Sequence, residues 1–217
     1  MRKTEFAVGE YYHVYNRGVD KRNIFEDSDD LFRFLFILKE FNSLEPIGGL
    51  YKLEATLRRG LASPKACLVN IISYCLNQNH YHFILEPLVE DGVQKFMHRI
   101  GTGYTMYFNE KYKRSGALFQ GSYKSIHIDT NEYLLHLSVY INLNNLVHKD
   151  LNKEWMGTLP FSSLGEYVEN RIDTKDDFCK KNVILDQFKN IQKYKKYAME
   201  TLPDIVKRKD DNKLLLE

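Results

Sequence analysis

His80-Tyr81-His82 and, further along the chain, Tyr140 with Asn144 are the residues whose types and spacing could do chemistry. Side chains alternate along a strand, so His80 and His82 share one face and Tyr81 takes the other. At ~3.3 Å rise per residue their Cα atoms lie ~6.5 Å apart, close enough for two imidazoles to converge on one metal ion. Two imidazoles under-ligate a metal, so this reading requires a third protein ligand. Without one, the pair is two histidines on a polar sheet face. His136, Tyr140 and Asn144 recur at i, i+4 and i+8 and form one helical stripe. Leu134, Leu137 and Ile141 form a different stripe, which is expected to face the sheet. Tyr140 is then either an edge-of-core tyrosine beside a surface Asn144, or a nucleophile with an oxygen ligand nearby. A phenol with a pKa near ~10 is a poor nucleophile at neutral pH. Beside a metal-bound phosphate it becomes a competent one, because the cation favours phenolate and withdraws charge from phosphorus. A histidine pair, a third ligand and a phenol are together what metal-assisted phosphodiester transfer needs.

A second feature is local charge. From Gln94 to His127, six cations (Lys95, Arg99, Lys111, Lys113, Arg114 and Lys124) oppose Glu110, a local balance of +5 in a chain whose formal charge is +2. Tyr104, Tyr107, Tyr112, Phe119 and Tyr123 are interleaved with them. Basic side chains tracking phosphates, with aromatics for base stacking, describe a single-strand binding groove; a solvated helix face with its loop carries the same charges. Arg17, Lys21 and Arg22 could extend the patch. The lysines between 180 and 196 read as an ordinary solvated helix.

The elements that must position these residues follow from periodicity. Tyr11–Asn16 reads as a strand, and Leu31, Phe34, Leu35, Leu38 and Phe41 recur at helical spacing behind Ser28, the expected N-cap. Residues 43–66 read as a connection with a short helix at Leu50–Arg59. Leu68–Leu76 and His80–Glu86 form a hairpin around Asn77-Gln78-Asn79. Asp91–Asn109 is helical in period, although Gly101 and Gly103 weigh against an unbroken helix. Tyr123–Ile128 is a last strand, and Thr130 caps a helix over Asn131–Leu143. The order predicts an α+β fold: a ferredoxin-like βαββαβ antiparallel sheet with an added C-terminal catalytic helix and a helical extension. The catalytic domain is expected over 1–150. The extension is expected over 151–217, with Trp155 and Phe161 packing back, a charged helix at 175–202 and a mobile polar end.

With 217 residues, 43% apolar, the chain can bury a core, which excludes a disordered protein. No apolar run approaches the ~20 residues of a membrane helix. The charged start, Met1-Arg2-Lys3-Thr4-Glu5, is unlike a signal peptide. Cys67, Cys75 and Cys179 lack metal-type spacing, and an odd thiol fits a reducing cytosol.

Four segments, taken in order, resemble the single-tyrosine HUH transposases, most closely the REP-associated tyrosine transposase branch. They are His13-Val14-Tyr15-Asn16-Arg17-Gly18, Tyr74-Cys75-Leu76-Asn77-Gln78-Asn79-His80-Tyr81-His82, Gly116-Ala117-Leu118-Phe119-Gln120-Gly121-Ser122-Tyr123-Lys124 and Val139-Tyr140-Ile141-Asn142-Leu143-Asn144. The resemblance implies a nicking and strand-transfer enzyme for single-stranded or hairpin DNA, with palindromic repeats as targets and a 5′-phosphotyrosine intermediate. His80, His82 and Asn144 would hold Mg2+ or Mn2+, and Tyr140 would be the nucleophile. Arg17, Arg114 and Lys124 are the expected phosphate contacts, Phe119 an expected DNA contact, and His136 a secondary site residue. Asn77-Gln78 stand where the family often has Met-Pro, and Asn145 where it often has Pro. A nucleoid-associated cytoplasmic protein, as monomer or homodimer, is expected. The alternatives are a non-catalytic ferredoxin-like binder of single-stranded nucleic acid and a metallohydrolase with no covalent role for Tyr140.

Overall fold

A computed structural model describes residues 5–45, 66–147, 161–168 and 179–210. The expected short helix at Leu50–Arg59 and the packing of Trp155 lie outside the described residues. The strands are β1 (Tyr11–Arg17), β2 (Val69–Asn77), β3 (His80–Pro87) and β4 (Lys124–Ile128). The main helices are α1 (Ser28–Phe41), α2 (Gly92–Lys111) and α3 (Asn131–Val147). The C-terminal part adds α4 (Leu164–Val168), α5 (Asn182–Leu185) and α6 (Ile191–Asp210). The sheet has the order β2-β3-β1-β4, and every neighbouring pair is antiparallel. That is the ferredoxin-like arrangement the element order predicts.

The sheet carries a core on each face. Tyr12, Val14, Tyr81 and Phe83 point toward α1 and α2, where they pack with Phe34, Phe41, Ile100 and Tyr104. Cys75 and Ile84 point the other way, into a core with Leu137, Tyr140 and Ile141 of α3 and with Tyr167, Tyr194 and Ile205 of the C-terminal helices. Alternation along the strands therefore sorts side chains between two helical layers.

Local chemistry explains the element ends. The cap of α1 is Asp27 rather than Ser28: its side chain accepts from the Asp30 N–H at 3.0 Å. Thr130 Oγ1 accepts from the Tyr133 N–H at 3.2 Å, as expected of a cap. α2 is unbroken through its glycines. A Cβ on Gly103 would lie 2.5 Å from the Phe41 ring, so the glycine is what lets α1 and α2 approach. The extension is helical, as expected, but the single helix expected over 175–202 is instead α5, a break at residues 186–190, and α6. α6 continues through Pro203 to Asp210, so part of the polar end expected to be mobile is ordered in a helix. Phe161 is buried and packs back onto the body, as expected. Among the described residues no helix is long and apolar enough to cross a membrane.

Candidate functional site

The site is built on the sheet face that α3 covers. Directly opposed residues of an antiparallel pair share a face. His80 is opposed by Asn77 on β2 and Arg17 on β1; His82 is opposed by Cys75 and Tyr15. His13 faces Ile84, two residues beyond His82, and so reaches His82 diagonally. One row of alternate positions on each of three strands thus gathers His13, Tyr15, Arg17, Cys75, Asn77, His80 and His82. Tyr81 points to the opposite core, as alternation requires. The two histidine rings stand edge to face with centroids 5.1 Å apart.

Hydrogen bonds orient these rings. His80 Nδ1 lies 2.6 Å from Asn79 Oδ1, an oxygen that can only accept, so Nδ1 carries the proton. The lone pair of His80 is then on Nε2, which accepts from Asn77 Nδ2 at 2.9 Å. The same Asn77 Nδ2 donates to Asn144 Oδ1 at 2.6 Å, which brings α3 to the hairpin. Asn144 Nδ2 is buried with no hydrogen-bond partner among the described residues. His82 Nδ1 lies 3.0 Å from His13 Nε2. Complete burial lowers the His13 pKa to about 3, so that ring is neutral near pH 7 and has one N–H to give. When His82 Nδ1–H is the donor, the lone pair of His82 falls on Nε2, the atom that can coordinate.

Tyr140 meets this face from the same chain. Its ring is edge-on to that of His82, with centroids 5.9 Å apart. It is 5% exposed and belongs to the core, which corrects the expectation that its stripe lies apart from the packed one. The reason is that α3 is covered on two sides, by the sheet and by α6, so most of its circumference is buried. Asn144 is buried as well, not on the surface. His136 is half-buried on the same helix.

The expected DNA contacts separate. Lys124 is exposed on β4 opposite Tyr15, with its Nζ 5.9 Å from the Tyr15 ring, and Tyr15 stacks on His82 with centroids 5.7 Å apart. Arg17 opposes His80 and hydrogen-bonds Gln120. Both cations therefore border the histidine face. Arg114 folds onto its own loop, donating to Asn109 Oδ1 at 2.6 Å and to the Ala117 carbonyl at 3.1 Å. Phe119 is 7% exposed and packs against Tyr81 and Tyr104, so most of its ring is turned into the core. Its place in the core follows from the bridge between Gly18 and Phe119, which tucks the loop against β1.

Sequence reasoning missed His13 and Asn77. The strict alternation of His13, Tyr15 and Arg17 on β1 was the signal for the first, and the hairpin pairing of Asn77 with His80 for the second. Among the described residues no three His, Cys, Asp or Glu side chains gather as a metal site. The donors that converge are imidazoles and carboxamides, and their lone pairs suit a divalent cation in kind.

The family model described as "Transposase IS200 like" matches residues 61–144. No curated protein matches the chain. Among solved structures, a REP-associated tyrosine transposase bound to a REP hairpin is 14% identical, over 83% of this chain and 93% of that chain, with a TM-score of 0.49. Across residues 61–144, where both histidines, Tyr140 and Asn144 lie, the chain is similar in sequence to the IS200-like transposases, in agreement with the resemblance carried by its motifs.

Proposed function

We propose that this protein is a metal-dependent enzyme that nicks single-stranded DNA and transfers the strand through a 5′-phosphotyrosine. The observation that carries the reading is the Tyr140 ring set against His82, on the face where His80 and Asn144 are joined through Asn77. His80, His82 and Asn144 would hold Mg2+ or Mn2+, which when bound draws charge from the scissile phosphate. The Tyr140 hydroxyl loses its proton to solvent and attacks phosphorus. The bond from phosphorus to the 3′ oxygen breaks, that oxygen takes up a proton, and the 5′ phosphate remains on Tyr140. The new link is still a phosphodiester, so the 3′-hydroxyl of another strand can displace the phenol without a nucleotide cofactor.

Arg17 and Lys124, which border the same face, would contact the phosphates on either side of the reacting one. The substrate class is hairpin or single-stranded DNA, with palindromic repeats as the natural targets. Incubating labelled hairpin DNA with Mn2+ and the protein tests the reading. The wild type is expected to give a denaturation-resistant protein–DNA adduct and Tyr140→Phe none. An adduct from Tyr140→Phe at wild-type level overturns the assignment of the nucleophile; binding with no adduct from the wild type favours the non-catalytic binder.

A further inference from the structure

Asn77 is at the centre of the site, yet the motif reading gives it no role. Its Nδ2 lies 2.6 Å from Asn144 Oδ1 and 2.9 Å from His80 Nε2, two acceptors aimed at one atom. Its own Oδ1 has a weak contact, from Cys75 Sγ at 3.8 Å. The residue is buried, at the last position of β2, where it directly opposes His80.

Neighbouring ligands of a small octahedral cation, with bonds of ~2.1 Å, sit about 3 Å from one another. The separations around Asn77 Nδ2 are close to that spacing. A carboxamide turned by half a rotation about its last side-chain bond exchanges nitrogen for oxygen at nearly the same place. Three acceptor atoms would then face one another, an arrangement that repels unless a cation lies among them. The amide thus has two uses. Its NH2 group satisfies His80 and Asn144 without metal, and its oxygen suits the same spot with metal.

We propose that Asn77 is a ligand of the divalent cation in this chain, presenting Oδ1 beside His80 Nε2 and Asn144 Oδ1 after its amide turns over. The proposal rests on the metal reading of the histidine pair. It assigns to this chain an oxygen donor at a position where the related motif often has methionine, a side chain without one.

Direct titration of the full-length protein with Mn2+, followed by calorimetry and by the free-Mn2+ spin-resonance signal, tests it. Asn77→Leu removes the oxygen at similar volume, and Asn77→Asp keeps an oxygen but cannot donate. The expected result is a tenfold or greater loss of Mn2+ affinity in Asn77→Leu, with Asn77→Asp binding at least as tightly as the wild type. Wild-type affinity in Asn77→Leu overturns the proposal. So does an equal loss in both variants, which would make the NH2 group a positioning device only. His82→Ala separates the two levels: if it binds Mn2+ like the wild type, the metal reading itself fails, whereas loss there with none in Asn77→Leu sinks only the role of Asn77. Melting temperatures without metal verify that each variant is folded, and if Asn77→Leu does not fold, the sign of the change in Asn77→Asp decides, a weakening overturning the proposal.

Discussion

At the scale of single residues, the site depends on which ring nitrogen of each histidine carries a proton. Asn79 settles this for His80, while for His82 the partner is His13, a buried ring with nothing bonded to its Nδ1 among the described residues. Replacing His13 with Leu leaves His82 Nδ1 without that acceptor and frees the ring to turn. Loss of such a supporting partner typically costs ~10–100-fold in metal affinity. The expected outcome for His13→Leu is a weakening of Mn2+ binding within that range, read by titration, with the melting temperature without metal recorded alongside. The histidine pair was legible in the sequence because period-two alternation alone puts both rings on one face. His13 was not, because its contact crosses to a strand 69 residues away and lies diagonal to the pairing. The burial of Phe119 was hidden for the opposite reason: a phenylalanine among lysines reads as exposed until the Gly18 bridge draws it under the sheet.

At the scale of elements, α1 begins where α2 ends. Lys111 Nζ lies 2.7 Å from Asp27 Oδ1 and 2.8 Å from Asp30 Oδ1, tying the first turn of one helix to the last of the other. Burial acts to raise the Asp27 carboxyl pKa, but hydrogen bonds from Lys111 and from the Asp30 N–H outweigh it and hold the pKa below 3.8. A lowered carboxyl pKa stabilises the fold fully above 3.8, and that contribution disappears as the pH falls through the folded value. Asp27→Asn keeps a capping oxygen and loses the charge. Urea midpoints from pH 6 down to pH 2 should therefore show the wild type ahead near pH 6, with the gap closing below pH 4. A constant gap would mean that the pair contributes through geometry alone. The order of strands and helices, and so the sheet topology, was legible from periodicity and turns. The surroundings of α3 were not. Its Leu134, Leu137 and Ile141 stripe reads as one apolar face, but Tyr194, Ala198 and Ile205 of a helix far along the chain cover another, and Tyr140 is buried between.

At the scale of the molecule, the question is which of the clustered cations face a nucleic acid. Lys111 is taken up by two carboxylates, Arg99 donates to the carbonyls of Phe41 and Ser43, and Arg114 holds its own loop. Much of the local charge read from the sequence therefore serves the fold, whereas Lys124 stands at the rim of the histidine face beside Tyr15. Each phosphate neutralised on a single strand contributes about 0.7 to the slope of log affinity against log salt. Lys124→Ala is expected to lower that slope by roughly this amount and to weaken binding to all single strands alike. Lys111→Ala is expected to leave the slope unchanged while lowering the melting temperature. Fluorescence anisotropy of a labelled single strand across a salt series reads both variants. Equal slope changes would mean that the strand responds to the field of the whole basic segment; a change confined to Lys124 traces its path along the sheet face that Tyr140 of α3 meets.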